Sequence, residues 1–218
     1  MTNERIFRVE AYYKRYDELV KTRPVSYYFS NYDNSGSGYA KGIELFWRDK
    51  KTFHEFDYWL SYSYLDTKRD YLNYPTSLTP NFAAKHTASL VTKKFFTKQK
   101  TGINLTYSYA TGRPYYNLRV NNDAKYYVAD AGTTKDYHSL NLSVEYLPAL
   151  GKTNAKTFIV WFASVSNLLG YRAVYGFNYS FNGQVMQPVT PPANRFYFVG
   201  CFISWGVDRS QDAINNNL

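Results

Sequence analysis

The sequence predicts an all-β protein of about eight antiparallel strands in a meander, of the kind that crosses a membrane as part of a transmembrane β-barrel. Three observations predict this fold. Apolar and polar residues alternate with a period of two along much of the chain. The connections between these segments are alternately long and short, and aromatic residues lie near the segment ends.

The alternation is clear in 101–111, where Ile103, Leu105 and Tyr107 share one face and small or polar residues share the other. The same pattern is present in 38–48, 53–66 and 137–147. A period of two is the repeat of a strand with one apolar and one polar face. The expected strands are 6–20, 38–48, 53–66, 86–96, 101–111, 137–147, 157–167 and 195–205. The last two are apolar on both faces, which leaves their facing open.

The connections between these strands differ in length in a regular way. Segments 21–37, 67–85, 112–136 and 168–194 are long, whereas 49–52, 97–100 and 148–156 are short. Every second connection of an antiparallel meander lies at the same edge, so one edge carries long loops and the other carries tight turns. Outer-membrane barrels have this asymmetry, whereas a soluble barrel that binds an apolar ligand has no need of it.

Aromatic residues make up 20% of the chain, and many of them lie at strand ends. At both ends they match the girdles that sit at the depth of the lipid head groups. Trp47, Phe53, Phe95, Phe96, Tyr146 and Trp205 are expected at the edge with short turns, and Tyr64, Tyr109 and Tyr137 beside the long loops. The other face of the strands carries the charged residues Arg8, Glu10, Glu44, Glu55, Asp57 and Glu145.

Composition and motifs exclude several other classes of function. The net charge of +9 fits nucleic-acid binding, but the basic clusters fall at expected turns, so no nucleic-acid partner is expected. A single cysteine, Cys201, excludes an internal disulfide, and the three histidines lie too far apart for a metal site. No catalytic triad, carboxylate pair or glycine-rich phosphate loop is recognisable. We therefore expect no enzymatic activity and no cofactor.

The long loops 112–136 and 168–194 contain the candidate ligand-binding residues, which are arginines and tyrosines. Arginine offers a planar fork of donors for anionic groups, and tyrosine offers a rigid contact surface with a polar tip. The alternative is that these side chains pack the loops against one another and against lipopolysaccharide. The candidates are Arg113, Tyr115, Tyr116, Arg119, Tyr126, Tyr127, Tyr171 and Arg172.

Several segments, in their order and spacing, also resemble a known family. They are RVEAYYKRYDELV (8–20), GYAKGIELFWR (38–48), LTPNFAAKHTASL (78–90), YSYATGRPYYN (107–117), SVSNLLGYRAVYGFNYS (164–180) and RFYFVGCFISWGVD (195–208). Together they resemble the C-terminal barrel portion of a TonB-dependent outer-membrane receptor, and most of all those of the Bacteroidetes.

The resemblance implies a place in the bacterial outer membrane, as the C-terminal part of a 22-stranded barrel. Residues 1–207 are then a barrel segment and 208–218 a polar tail. The whole receptor is expected to take up a scarce solute such as a siderophore, haem, cobalamin or glycan. Its expected partners are outer-membrane lipid and lipopolysaccharide, the rest of the barrel and the plug, and TonB.

Because the chain has no plug, it is expected to be a fragment of such a receptor. The alternative is a complete small eight-stranded outer-membrane protein with an adhesion or structural role. In that closed barrel, strand 6–20 has to pair with strand 195–205.

Overall fold

A computed structural model describes residues 4–25, 30–152 and 157–206, and the regular secondary structure in them is all β-strand. The expected tail 208–218 lies outside these residues. None of the described segments forms a helix able to cross a membrane. The strands are β1 (Arg5–Pro24), β2 (Ser30–Asp49), β3 (Phe56–Asp70), β4 (His86–Phe96), β5 (Thr101–Ala110), β6 (Pro114–Val120), β7 (Tyr126–Thr133), β8 (Tyr137–Tyr146), β9 (Thr157–Ser166), β10 (Gly176–Tyr179), β11 (Met186–Val189) and β12 (Phe196–Trp205).

Eight of the strands form one antiparallel sheet in the order β1-β2-β3-β4-β5-β8-β9-β12. The other four form two hairpins, β6–β7 and β10–β11, which are inserted in the two longest connections. The all-β, antiparallel meander is thereby confirmed. β1 and β12 lie at opposite edges of the sheet and are not paired with each other within the described residues. The closed eight-stranded barrel of the alternative hypothesis is therefore not formed.

The first connection is shorter than the sequence predicts. β1 and β2 have 20 residues each, so most of the expected loop 21–37 is strand. Asp70, the last residue of β3, pairs with Ser37 of β2. The outer part of the β1–β2 hairpin therefore extends past the end of β3. An ion pair between Arg23 and Asp33 joins its two strands. Both faces of this extension are solvated, so its sequence carries no apolar alternation.

Gly36 allows three chain segments to meet closely at the base of this extension. The chain leaving β3 reaches β1, where the Leu72 N–H donates to the Val20 carbonyl at 2.7 Å. A Cβ on Gly36 would lie 2.5 Å from the Asp70 carbonyl oxygen and 2.6 Å from that of Leu19. Any side chain at this position would push the segments apart.

The register divides the sheet into two faces, because directly opposed residues point to the same side. Val9 lies opposite Leu45, and Leu45 lies opposite Tyr62. The same register continues through the other strands, so this side of the sheet carries a continuous apolar band. We call this side the lipid face. It includes Val9, Leu45, Leu60, Leu90, Leu105, Leu142, Val165 and Val199. Most of these side chains are more than a third exposed, as expected of a surface that lipid covers.

The opposite side, the lumen face, is polar over its central strands. Its side chains there are small and mostly hydroxylated: Ser61, Ser63, Thr87, Ser89, Thr106, Ser108, Ser139, Asn141 and Ser143. The register also settles the facing of the last two strands. Trp161 and Cys201 are opposed on the lipid face, whereas Phe162 and Phe198 pack together on the lumen face with ring centroids 5.9 Å apart.

Aromatic residues lie on the lipid face at both ends of the strands. Trp47, Tyr146, Trp161 and Trp205 lie near the short turns. Phe95 differs from expectation, since it is buried with Leu147, Leu150 and Phe158 in a cluster at that end. Tyr137 also differs: it lies opposite Ala110 and faces the lumen.

Two matching tyrosine–histidine pairs occupy the lipid face near the long loops. The Tyr62 hydroxyl shares a hydrogen bond with His86 Nδ1 at 2.8 Å, and the Tyr107 hydroxyl shares one with His138 Nδ1 at the same distance. Each histidine ring also packs against the second tyrosine of a Tyr-Ser-Tyr segment, Tyr64 or Tyr109. The pairs join β3 to β4 and β5 to β8.

Adjacent residues of β5 provide a test of the two faces. We expect Leu105→Arg to destabilise the folded protein by about 2–4 kcal/mol, because it places a charge near the middle of the lipid-facing band. Thr106→Arg, on the lumen face, is the matched control and is expected to cost less than about 1 kcal/mol. Equilibrium unfolding of the protein in lipid vesicles measures both. Equal destabilisation would contradict the assignment of faces.

Candidate functional site

The long connections fold over one another at one end of the sheet. Loop 71–85 is joined to β6 by Tyr116, whose hydroxyl donates to the Thr79 carbonyl at 3.0 Å. The Tyr116 ring also packs edge-on against Tyr74, with centroids 5.7 Å apart. Burial raises the pKa of Tyr74 to about 12 and also raises the pKa of Tyr116. Both phenols therefore act as neutral packing groups in this contact.

Several side-chain contacts hold the two inserted hairpins together. Tyr115 packs against Phe177 with ring centroids 4.6 Å apart. The Tyr179 hydroxyl donates to Asp130 Oδ2 at 2.9 Å, and burial together with this carboxylate raises the pKa of Tyr179 to about 12. Gly183 has a positive φ and lies against the guanidinium of Arg119, which leaves no room for a Cβ on Gly183. β6–β7 and β10–β11 therefore form one layer.

Tyr171 ties the connection after β9 to the start of β8. Its hydroxyl donates to the Asp136 carbonyl, and its ring lies edge-on to His138 with centroids 5.2 Å apart. Asn167 positions it from the other side: its side-chain oxygen accepts the Tyr171 N–H at 3.1 Å, and its amide donates to the Tyr171 carbonyl at 2.8 Å. Asn167 has a φ of 52°, in the left-handed region that asparagine tolerates better than most residues.

Asp136 closes the base of the insertion between β5 and β8. Its carboxylate accepts the Gly112 N–H and the Tyr109 hydroxyl, each at 2.9 Å. The bond from Gly112, followed by that from Tyr109, lowers the pKa of Asp136. Sequence reasoning missed this residue, although an aspartate directly before an expected strand is a signal for such a loop-closing contact.

Arg113 lies where two clefts meet. A cleft of about 450 Å³ runs along the lumen face, and a smaller one of about 250 Å³ lies below the connection that follows β9. Arg113 and Tyr137 line both. On its lumen side the larger cleft is lined by Phe46 and Ala110 and by the polar residues Arg8, Glu44, Ser61, Ser63, Thr87, Ser89 and Ser108. A polar surface therefore continues from the loops to the sheet.

The lumen face is charged at its other end, near the short turns. The Arg48 guanidinium donates two hydrogen bonds to Asp57, at 3.0 and 2.6 Å. Trp59 accepts a cation–π contact from Arg48 and another from Lys93, each at 5.4 Å from the ring. Within the described residues, no group of three or more potential ligands is arranged to hold a metal ion.

The structure distributes the candidate ligand-binding residues over several places. Arg119 and Tyr126 line a third cleft of about 570 Å³, beside the top of the β1–β2 hairpin. Tyr127 and Arg172 are exposed. Tyr115, Tyr116 and Tyr171 take part in the loop contacts described above, as the alternative interpretation of these loops expects. As ligand contacts, all eight residues stay predictions. Tyr74, Asp136, Tyr137 and Asn167 join the region from outside that set.

Removing one hydroxyl tests the contact between loop 71–85 and β6. Tyr116→Phe deletes the hydrogen bond to Thr79, which is worth about 1 kcal/mol. We expect trypsin to cleave at Lys85, at the end of the loop, roughly fivefold faster in the folded protein. Tyr127→Phe, at an exposed tyrosine of the same hairpin, is the control and should leave the rate unchanged. A wild-type rate in Tyr116→Phe would show that the bond does not hold the loop.

Acid is expected to loosen the base of the β5–β8 insertion. Hydrogen bonds lower the pKa of Asp136 in the folded state, so its contribution is complete above the ordinary carboxyl pKa and is lost as the pH falls through the lowered value. We expect protection of the Gly112 amide against hydrogen exchange to fall below about pH 4.

Asp136→Asn supplies the control, because the amide still accepts a hydrogen bond but cannot titrate. Its Gly112 protection should be independent of pH in this range. The same acid step in wild type and variant would show that another group titrates.

Comparisons with known proteins agree with this architecture. The family model "TonB dependent receptor-like, beta-barrel" matches residues 1–168. An outer membrane transporter from Escherichia coli, YddB, is similar with a TM-score of 0.64 and 13% identity, covering 94% of this chain and 31% of that one. The E. coli ferric-catecholate import receptor Fiu in its closed form has a TM-score of 0.58 and 12% identity, with 91% of this chain and 25% of that one covered.

The chain spans less than a third of the length of either structure. No curated protein sequence matches it. The matching family and both similar structures are receptors or transporters, and these are proteins of the bacterial outer membrane. The polar lumen face, the apolar lipid face and the family match over three quarters of the chain lead to one conclusion: this chain belongs to the TonB-dependent receptor β-barrel family of the bacterial outer membrane.

Proposed function

We propose that this chain supplies part of the wall and of the outer loops of a receptor that binds a scarce solute at the cell surface and admits it through the barrel. One observation carries the proposal: Arg113 and Tyr137 line both the cleft among the loops and the cleft on the lumen face. A solute bound among the loops therefore has a polar surface leading inward. The solute is moved and not converted, so the receptor is not an enzyme.

The two parts of this surface suit two successive steps of uptake, which are binding of the solute among the loops and its passage along the lumen face. The Arg113 guanidinium is permanently charged and presents a planar set of donors, which suits an anionic or carboxylate-bearing solute. Beyond it, the lumen face offers hydroxyls such as those of Ser61, Ser89 and Ser108. Neutral hydrogen bonds are weaker than charge-assisted ones. A solute can exchange such partners as it advances, because passage requires sites that bind and also release.

The solute class is part of the same proposal. The similar receptor Fiu is described as a ferric-catecholate import receptor. Metal–catecholate complexes are anionic, which agrees with the charge of Arg113, so they are the first class to test. Haem also carries carboxylates, while cobalamin and glycans would have to rely on the hydroxyl-rich wall and the loop tyrosines.

The rest of the receptor completes the proposal. The free edges of β1 and β12 are where further barrel strands pair, since lipid cannot satisfy their backbone groups. A plug occupies the space in front of the lumen face, and TonB supplies the energy that displaces it.

Uptake by living cells tests this function. A strain lacking the gene is compared with the parent for uptake of four probes: a ferric catecholate complex, haem, cyanocobalamin and an oligosaccharide. We expect one of them to depend on the gene, and Arg113→Gln to raise the concentration for half-maximal uptake about 10–100-fold, as loss of a charge-assisted hydrogen bond predicts.

Lys98→Gln removes an exposed cation from a short turn and is the matched control. It should leave uptake unchanged. If no probe depends on the gene, solute uptake of these classes is contradicted. If one does and Arg113→Gln behaves as wild type, Arg113 is not a solute contact.

A further inference from the structure

The lumen face carries a further cleft, of about 450 Å³, on strands β1–β3. We infer that this cleft binds short peptides whose amino and carboxyl ends are both free and charged. The inference rests on the proposed function, because Glu44 lines this cleft and also the cleft that Arg113 lines, so the two are continuous. It names a class of solute that differs from the four classes considered above.

The cleft follows β2, whose lumen-facing residues are small in this part of the sheet. They are Gly38, Ala40 and Gly42. Larger residues of the two neighbouring strands form the walls: Tyr12, Lys14 and Tyr16 on β1, and Leu65, Thr67 and Arg69 on β3. Neighbouring strands are about 4.8 Å apart, so the backbones of the two wall strands are roughly 10 Å apart. This width suits one extended chain.

The acidic end of the cleft is formed by Glu10 and Glu44, which lie directly opposite each other. Glu10 is paired with Arg8 at 3.2 Å. Glu44 is exposed and makes no ion pair within the part of the chain that the structure describes. Its carboxylate can therefore accept hydrogen bonds from the ammonium group of a ligand.

The basic end of the cleft is formed by Lys14 and Arg69. The Lys14 Nζ lies 5.7 Å from the centre of the Tyr12 ring. The Arg69 guanidinium lies 4.5 Å from the centre of the Tyr16 ring and 5.3 Å from that of Phe82. Its Nε is buried and has no hydrogen-bond partner among the described residues. The rings thus position a guanidinium whose hydrogen-bonding capacity is not used, and a carboxylate is the acceptor that suits it.

The distance between the two ends sets the length of the ligand. Lys14 lies four residues from Glu10 along β1, on the same face. At about 3.3 Å per residue, their rows are roughly 13 Å apart. An extended peptide of about four residues has this length. A tetrapeptide therefore reaches from the acidic to the basic end.

The balance of charge favours a zwitterion over the other solutes. The cleft has two acidic and two basic residues, at opposite ends. An anionic solute would be repelled at Glu44, and a neutral sugar would leave the charges at both ends without partners. Between the ends, the rings of Tyr12 and Tyr16 offer apolar contact area for the side chains of a peptide.

Binding of a peptide by the whole receptor, purified from the outer membrane in mild detergent, tests the inference. Isothermal titration calorimetry compares a tetrapeptide of alanine and leucine that has both ends free with the same peptide acetylated at its amino end or amidated at its carboxyl end. Each modification removes one charge-assisted contact and is expected to weaken binding about 10–100-fold.

Two variants connect each end of the peptide to its side of the cleft. Glu44→Gln is expected to weaken binding of the free peptide about 10–100-fold and to leave binding of the acetylated peptide unchanged, because that contact is already lost. Lys14→Gln is expected to weaken the free peptide about tenfold and to have no effect on the amidated one.

Glu4→Gln and Lys98→Gln are the matched controls, since they remove exposed charges at the edge with short turns, and both should bind as wild type. Equal binding of the free and acetylated peptides would overturn the inference, as would the absence of binding. Tighter binding of a neutral tetrasaccharide, unaffected by Glu44→Gln, would also overturn it and assign the cleft to a sugar. The measurement involves no transport, so its failure is distinct from a failure of the uptake experiment with Arg113→Gln.

Discussion

The backbone hydrogen bonds of the eight-stranded sheet are the constraint on which the other features of the chain depend. Lipid offers no partners for N–H and C=O groups, so a chain that crosses it must pair every strand with a neighbour. Pairing of each strand with the next, from β1 to β12, satisfies this demand inside the sheet, and within the described residues the outer edges of β1 and β12 stay unpaired. Alternation of apolar and polar residues follows, because each paired strand has one face toward hydrocarbon and one toward the lumen.

The two ends of the sheet are stabilised in different ways. At the short turns, ion pairs such as Arg48–Asp57 and the cluster around Phe95 close the strands compactly. At the other end, the insertions carry their own hairpins and bind one another through side chains, chiefly tyrosines. Water surrounds the loops, so side-chain contacts such as Tyr116 with Thr79 replace what the sheet supplies elsewhere. The wall and the loops are thus separate parts of one polar surface.

The membrane-spanning sheet can be predicted from the sequence better than the loops can. β5 is expected at 101–111 and spans Thr101–Ala110, because lipid and lumen impose a period of two on its residues. The outer half of the β1–β2 hairpin was missed, since a strand solvated on both sides needs no alternation. Tyr137 was placed on the wrong face because an aromatic near a strand end was assumed to face lipid. Arg113 and Tyr137 line the same two clefts because of how the loops fold back, which no local pattern encodes.

The tyrosine–histidine pairs show that the sheet repeats itself with a unit of one hairpin. Tyr62 with His86 and Tyr107 with His138 have the same hydrogen-bond length and the same supporting second tyrosine, two strands apart. The aromatic belt is thus modular. A barrel wall of this kind can gain or lose circumference in steps of two strands while the belt stays continuous, whereas a change by a single strand would invert the direction of every later strand.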